Sequence, residues 1–261
     1  MDRKTAKIIR KRSFARNHDF DNELAGLLDQ NEKEYDFLRN PVMQNIYLYQ
    51  IDYICDFSKE WFNRNYIRML DWGCGKGEVS YWLKKKGINV TSCDITKTNV
   101  TSAFGKINQI ITKTGIDVVP LTHEYKLPFE NSSFEVVLSF GVLEHVPNDF
   151  ESLKEINRIL TPNGLFFCLY LPYRLSYTQN IEHLRGSWYH NRLYSKSMIK
   201  NLLKSADLNL LDLWHRALLP KKSLGSPFFK IIDKIDNWIC NYSVLKYLAT
   251  NIEFVAYKEK W

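Results

Sequence analysis

Short apolar runs alternate with amphipathic stretches along most of the chain. Residues 67–72, 88–93, 116–122, 134–140 and 164–171 are apolar and of strand length. Between them, 78–86, 97–113 and 149–160 carry apolar residues at helical spacing,. Such alternation predicts a parallel sheet covered by helices on both faces. From about residue 19 to 65 the chain reads as helices, with Leu24, Leu27 and Leu28 marking one apolar face and Ile46, Tyr49, Tyr53 and Phe57 another,. After the alternation come a helix, SKSMIKNLLKSADL, a strand-like stretch, NLLDLWHRALL, and a terminal strand, NIEFVAYKEK. Residues 1–65 then form a basic tail and helical cap, 66–172 the core, and 173–261 a lid, a helical insertion and the last strands of the same domain.

Two segments break the pattern. Residues 173–192, YRLSYTQNIEHLRGSWYHNR, are polar and aromatic and directly follow a strand. A long stretch without regular structure is usually functional or disordered, and the aromatic content argues against disorder. This favours a substrate wall over an ordinary surface loop. Residues 220–250 form an insertion in which Phe228, Phe229, Ile231, Ile232, Ile235, Trp238 and Ile239 recur at helical spacing beside Lys221, Lys222, Lys230 and Lys234. One reading is an amphipathic helix packed on the domain. The other is a surface for a membrane interface or a lipid-linked or apolar substrate.

Composition changes the picture little. The 261 residues are 45% hydrophobic and 25% charged, enough for one sizeable domain with additions,. No apolar run reaches the roughly 20 residues that span a bilayer. The basic N-terminus lacks the apolar core of a secretory signal,. The 5 cysteines are scattered without a CxxC pair, which fits reduced thiols in a cytoplasm and suggests neither zinc nor a disulfide framework,. The +7 net charge attracts phosphates and anionic lipid heads without proving either, and no nucleic-acid-binding module accompanies it,.

The richest stretch is DWGCGKG, Asp71 to Gly77, closing the first core strand. Gly73, Gly75 and Gly77 let the backbone turn tightly and present main-chain N–H groups to a ligand. A second acid, Asp94, ends the next strand, where a carboxylate can accept both ribose hydroxyls. Glu78 stands where a dinucleotide fingerprint needs glycine, and no GxxxxGK[ST] is present,. Asp71 beside the turn repels a pyrophosphate and attracts an ammonium.

The stretch MLDWGCGKGEVSYWLKKKGINVTSCDIT resembles the first motifs of class I S-adenosylmethionine-dependent methyltransferases of the type 11 kind. LPFENSSFEVVLSFGVLEHVPN and RILTPNGLFFCLYLP resemble the later ones, so the likeness covers roughly residues 67 to 172. The resemblance implies a Rossmann-like, doubly wound α/β sheet of seven strands with an antiparallel last strand, N-terminal helices and a C-terminal helical insertion. It implies S-adenosylmethionine as cofactor and S-adenosylhomocysteine as product. By position, Asp71, Gly73, Gly75 and Gly77 face the methionine portion, Asp94 holds the ribose, and Ile95 packs on adenine. His123 or Glu124 lies at the adenine edge, and the backbone near Phe140 receives the ammonium. Asn163-Gly164 replaces the usual Gly-Gly, a change that asparagine tolerates,. An oxygen acceptor benefits from losing its proton to a histidine. His145 is the first candidate, then His190 and His183, with His183, Tyr189 and Arg192 facing the substrate. Nothing has diagnostic metal-ligand spacing. The leading expectation is O-methylation of a small or glycan-type acceptor, including lipid-linked ones, as in polysaccharide biosynthesis. A quinone-like acceptor and a noncatalytic cofactor-binding partner protein are the alternatives. The expected location is the cytoplasm, with peripheral contact at the inner membrane face left open. Oligomeric state is not readable.

Overall fold

The structure, a computed structural model, describes residues 3–29, 33–95, 109–186, 190, 192–219 and 226–259. Seven strands follow the order β3-β2-β1-β4-β5-β7-β6. The chain divides into two compact units, Met1–Thr122 with Lys221–Phe229, and His123–Pro220 with Lys230–Trp261.

In the first unit, helix α1 (Arg3–Phe14) lies against α3 (Pro41–Phe62), and a short α2 (Asn22–Leu27) comes between them in the chain. The basic N-terminus, expected as a tail, is thus a helix whose end finds partners on α3. Phe14 puts its ring 5.0 Å from Tyr49 and 5.7 Å from Tyr53. Arg12 reaches Glu60 at 2.6 Å, and Arg16 reaches Asp52 at 2.9 Å and Asp56 at 2.7 Å. Asn40 starts α3 by accepting the Val42 and Met43 amides, with Pro41 pre-set for the first turn,. Then follow β1 (Arg68–Trp72), α4 (Glu78–Lys85), β2 (Asn89–Asp94), α5 (Gln109–Thr114) and β3 (Val118–Pro120). β1 and β3 both run parallel to β2. The rest of the helix expected over 97–113 lies outside the described residues.

The second unit holds β4 (Phe134–Phe140), α6 (Asp149–Ile159), β5 (Leu160–Pro172), α7 (Tyr177–Leu184), α8 (Lys196–Ser205), β6 (Leu208–Arg216), most of α9 (Ser226–Tyr242) and β7 (Asn251–Lys258). β4 and β5 are parallel, while β7 runs antiparallel to β5 and β6. Asn163 takes φ +62°, and a Cβ on Gly164 would meet the Thr161 carbonyl at 2.7 Å. The Asn-Gly pair therefore makes the turn, as expected. The stretch 173–192, expected to lack regular structure, departs from that expectation among its described residues. They include α7, which Ser176 caps by accepting the Gln179 amide. All five cysteines are buried and none is in a disulfide. Burial pushes the Cys55 thiol up to about 12 and raises those of Cys74, Cys93 and Cys168.

Candidate functional site

In the first unit, parallel pairing places Asp71 opposite Ser92 and ends β2 at Asp94. The amides of Gly73 and Cys74 both donate to the Cys93 carbonyl, at 2.9 and 3.0 Å, and tie the turn to β2. Gly73, Gly75 and Gly77 have φ of +70°, +53° and +88°. Side-chain-bearing residues adopt such angles only at a cost. At Gly77 space forbids it too, because a Cβ would sit 2.8 Å from Ile111 Cγ1. The Gly75 amide donates to Asp94 Oδ2 at 2.6 Å. Asp71 is buried, and its Oδ2 accepts the Ser80 hydroxyl at 2.6 Å. Ile95 stands 61% exposed beside Asp94.

These acids crowd one another. Burial pushes the Asp71 carboxyl up to about 7, and the charges of Glu78 and Asp94 push the same way. Burial raises Glu78 to about 7 and also raises Asp94. Glu78 Oε2 is buried with no hydrogen-bond partner among the described residues. A crowded, under-neutralised acid cluster suits a ligand that brings positive charge. A sulfonium nucleoside with an ammonium fits that description.

In the second unit, β4 runs into a loop, residues 141–147. Gly141, at φ +67°, donates to the Leu169 carbonyl at 3.0 Å and turns the chain. Glu144 is buried, and its Oε1 lies 3.9 Å from Nε2 of both His145 and His190. The two imidazole centroids are 5.4 Å apart. The ligand-type atoms of the three side chains all lie within 4.8 Å of one another, a cluster that sequence spacing does not reveal. Burial pushes Glu144 up to about 7. Burial, then the Arg192 charge, holds His145 below its ordinary value, and burial with His145 does the same to His190. Both imidazoles are therefore mainly neutral near pH 7, the form that can take a proton.

Of the residues expected to face the substrate, Arg192 donates to the Val146 and Pro147 carbonyls at 2.7 and 3.2 Å, so it clasps the Glu144–His145 loop. Tyr194 holds the same loop through the Leu143 carbonyl. His190 is positioned by Gln179, whose Oε1 accepts its amide at 3.1 Å. His183 is exposed on the last turn of α7. Tyr189 lies outside the described residues. His123 Nδ1 accepts the Tyr125 and Lys126 amides, at 3.3 and 3.1 Å, and serves its own turn, whereas Glu124 is exposed. Phe140 ends β4 with its ring 6.0 Å from that of Tyr170.

Tyr170 belongs to a feature that sequence reasoning missed. The β5–β7 register shifts between Cys168 and Leu171, and Tyr170 takes φ +62° in the middle of the strand. The fully buried Glu253 supports this bulge. It accepts the Tyr170 amide at 3.2 Å and the Trp214 indole at 2.8 Å, with Arg216 at 3.8 Å. Bulges of this kind commonly re-aim a side chain beside an active site. The sequence signal was the acid in an otherwise apolar terminal strand.

Comparison with known proteins bears on the family and the fold. Residues 70–168 match the family model described as a methyltransferase domain. These residues form a class I, S-adenosylmethionine-dependent methyltransferase domain. S-adenosylmethionine is the cofactor such a domain takes. Among curated relatives, a ubiquinone biosynthesis O-methyltransferase of Pseudomonas aeruginosa is 29% identical over 100 residues, 38% of this chain and 42% of that protein. The mitochondrial enzyme of the same name from Arabidopsis thaliana is 35% identical over 98 residues, 38% of this chain and 30% of its own. The chain thus spans less than half the length of these relatives. Among solved structures, the MccD protein matches with TM-score 0.54 at 18% identity over 81% of this chain and 97% of its own. The [4+2]-cyclase SpnF matches with TM-score 0.51 at 16% identity, covering 80% and 81%. At such identities the structural likeness shows the fold alone, and a cyclase among the matches underlines that the fold does not fix the reaction.

Proposed function

We propose that this methyltransferase domain serves an enzyme that moves a methyl group from S-adenosylmethionine to the oxygen of a quinone-type, apolar aromatic acceptor in the cytoplasm. The imidazole pair over Glu144 carries the reading. A phenol-like hydroxyl titrates near 10, so it gains from a neutral base as the new bond forms. The names of the curated relatives support the acceptor class.

When bound, S-adenosylmethionine supplies a methyl group on a cationic sulfur, a good leaving group. The chain's part is to hold and align. Asp71 and Glu78 would receive the cationic end beside the glycine turn, and Asp94 would receive the ribose. Ile95 covers the adenine, and His123 or Glu124 borders it. His145 would accept the acceptor's hydroxyl proton and so leave the oxygen able to take the methyl group. Burial and the Arg192 charge favour the neutral form of that imidazole, with Glu144 and His190 beside it. Phe140 and Tyr170 offer ring surfaces for an apolar acceptor.

Incubation of the purified protein with S-adenosylmethionine and a panel of acceptors tests the reading by release of S-adenosylhomocysteine. A catechol or hydroquinone bearing an apolar tail should turn over. Turnover with sugars alone would restore the glycan reading. Tight cofactor binding without turnover across the panel would favour a noncatalytic binding protein.

A further inference from the structure

Helix α9 is inside-out. Its acids Asp233 and Asp236 are buried, whereas Ile231, Ile235, Trp238 and Tyr242, spaced by three or four residues along one face, are exposed. Ile231 is 60% and Trp238 61% exposed, far beyond what a helix packed on a core shows,. The apolar surface continues into the following 3-10 turn, where Val244 is 78% exposed and Leu245 and Leu248 are nearly half exposed.

The inversion is built, not accidental. Asp236 Oδ1 accepts the amides of Leu218 and Leu219 at 2.9 and 2.8 Å, which locks the polar side of α9 onto the chain after β6. Cys240 packs with Leu218 and Ala249, against Tyr177 and Ile239. Tyr247 rests its ring 5.4 Å from that of His215 and fixes the turn. With the acids facing inward, the charges that residues 231–250 leave toward solvent are the exposed Lys234 and the half-buried Lys246. Lys221 and Lys222 lie outside the described residues, as does the side chain of Lys230.

We propose that the face formed by α9 and the 3-10 turn docks on an anionic phospholipid bilayer. The chemistry singles out that occupant. Aliphatic side chains suit the acyl boundary, Trp238, Tyr242 and Tyr247 suit the headgroup level, and the flanking cations suit anionic lipid heads. Among the described residues no helix is long and apolar enough to cross a membrane, so the contact is peripheral. The proposed contact uses none of the residues given a role in methyl transfer, and its test needs no turnover. Failure here leaves methyl transfer untouched, and failure of methyl transfer leaves this surface untouched.

Co-sedimentation of the full chain with phosphatidylcholine vesicles, with and without added phosphatidylglycerol, decides the matter. The protein should pellet with the anionic vesicles, with its tryptophan emission moving to shorter wavelength. Ile235→Ser/Trp238→Ser should reduce partitioning by roughly tenfold or more, because two large apolar side chains no longer leave water. Lys234→Glu/Lys246→Glu should reduce it by at least roughly fivefold per charge. All these positions are at the surface, and circular dichroism should show an unchanged fold. Wild-type protein that stays in the supernatant with both vesicle types, without an emission shift, overturns the proposal. So does equal binding by the Ile235/Trp238 variant, or a concentration-dependent dimer that Trp238→Ser converts to monomer, because a second copy would then cover the face.

Discussion

The Asp94 carboxylate accepts the Gly75 amide at 2.6 Å, so the acid that ends β2 also fixes the shape of the glycine turn. Asp94→Ala should therefore lose a ligand contact and a loop contact together. S-adenosylmethionine affinity should fall by roughly 10- to 100-fold, the scale of a hydrogen bond to a charged group. Asp94→Asn keeps an oxygen for Gly75 and should lose less. Calorimetric titration of the three proteins checks the order, and equal affinities would remove Asp94 from the site.

Cofactor affinity should depend on pH through Asp71 and Glu78, whose carboxyls are pushed up to about 7. A cationic ligand favours their ionised forms. Affinity should then rise from about pH 6 to about pH 8, by up to about tenfold per unit per titrating group, with proton release on binding. The stability of the ligand-free protein moves the opposite way. These acids hold protons when folded that they lose when unfolded, so their contribution declines as pH rises from about 4 through about 7. Calorimetry in buffers of differing ionisation enthalpy measures the protons. Asp71→Asn should flatten the profile, and a wild-type affinity independent of pH would refute the cluster's role.

Gly77→Ala and Gly87→Ala make a matched pair. Both sites have positive φ, +88° and +73°, but only the first Cβ meets a neighbour, Ile111 Cγ1 at 2.8 Å. Gly87→Ala should cost about 1 to 2 kcal/mol for the backbone alone. Gly77→Ala should cost about 2 to 5 kcal/mol, with overpacking added. Denaturant melts of the two variants give the difference directly, and equal costs would contradict the packing at Ile111.

His145→Ala should lower kcat for the preferred acceptor by roughly a hundredfold or more, with cofactor affinity little changed. His190→Ala should act less severely and should shift the pH–rate profile, because it alters the charge beside His145. Since the His145 pKa lies below its ordinary value, wild-type kcat should rise with pH on the acid side and level off near neutrality. Activity should survive chelation by EDTA. Loss on chelation with recovery on added divalent metal would reassign Glu144, His145 and His190 as cation ligands.

The sheet and the turn of glycines and acids were legible in the sequence because both depend on neighbours along the chain. Asp71 and the glycines share one turn, and Asp94 ends the next parallel strand, so strand order alone brings them together. What escaped depends on distant pairing. His190 meets Glu144 only because Gln179 on α7 and the Arg192 clasp hold it there, and α7 itself hid in a stretch too polar to show an apolar stripe. The Tyr170 bulge needs Glu253 from the last strand. The insertion kept the apolar spacing that a buried helix also shows. Only the inward hydrogen bonds of Asp236 reveal which side of it faces water.

The buried thiols give each unit its own built-in reporter. Cys55, Cys74 and Cys93 belong to the first unit and Cys168 and Cys240 to the second. With the folded chain shielding all of them, an alkylating reagent can reach sulfur only where the structure opens. The order in which peptides from the two units acquire label during slow unfolding would thus record which half lets go first.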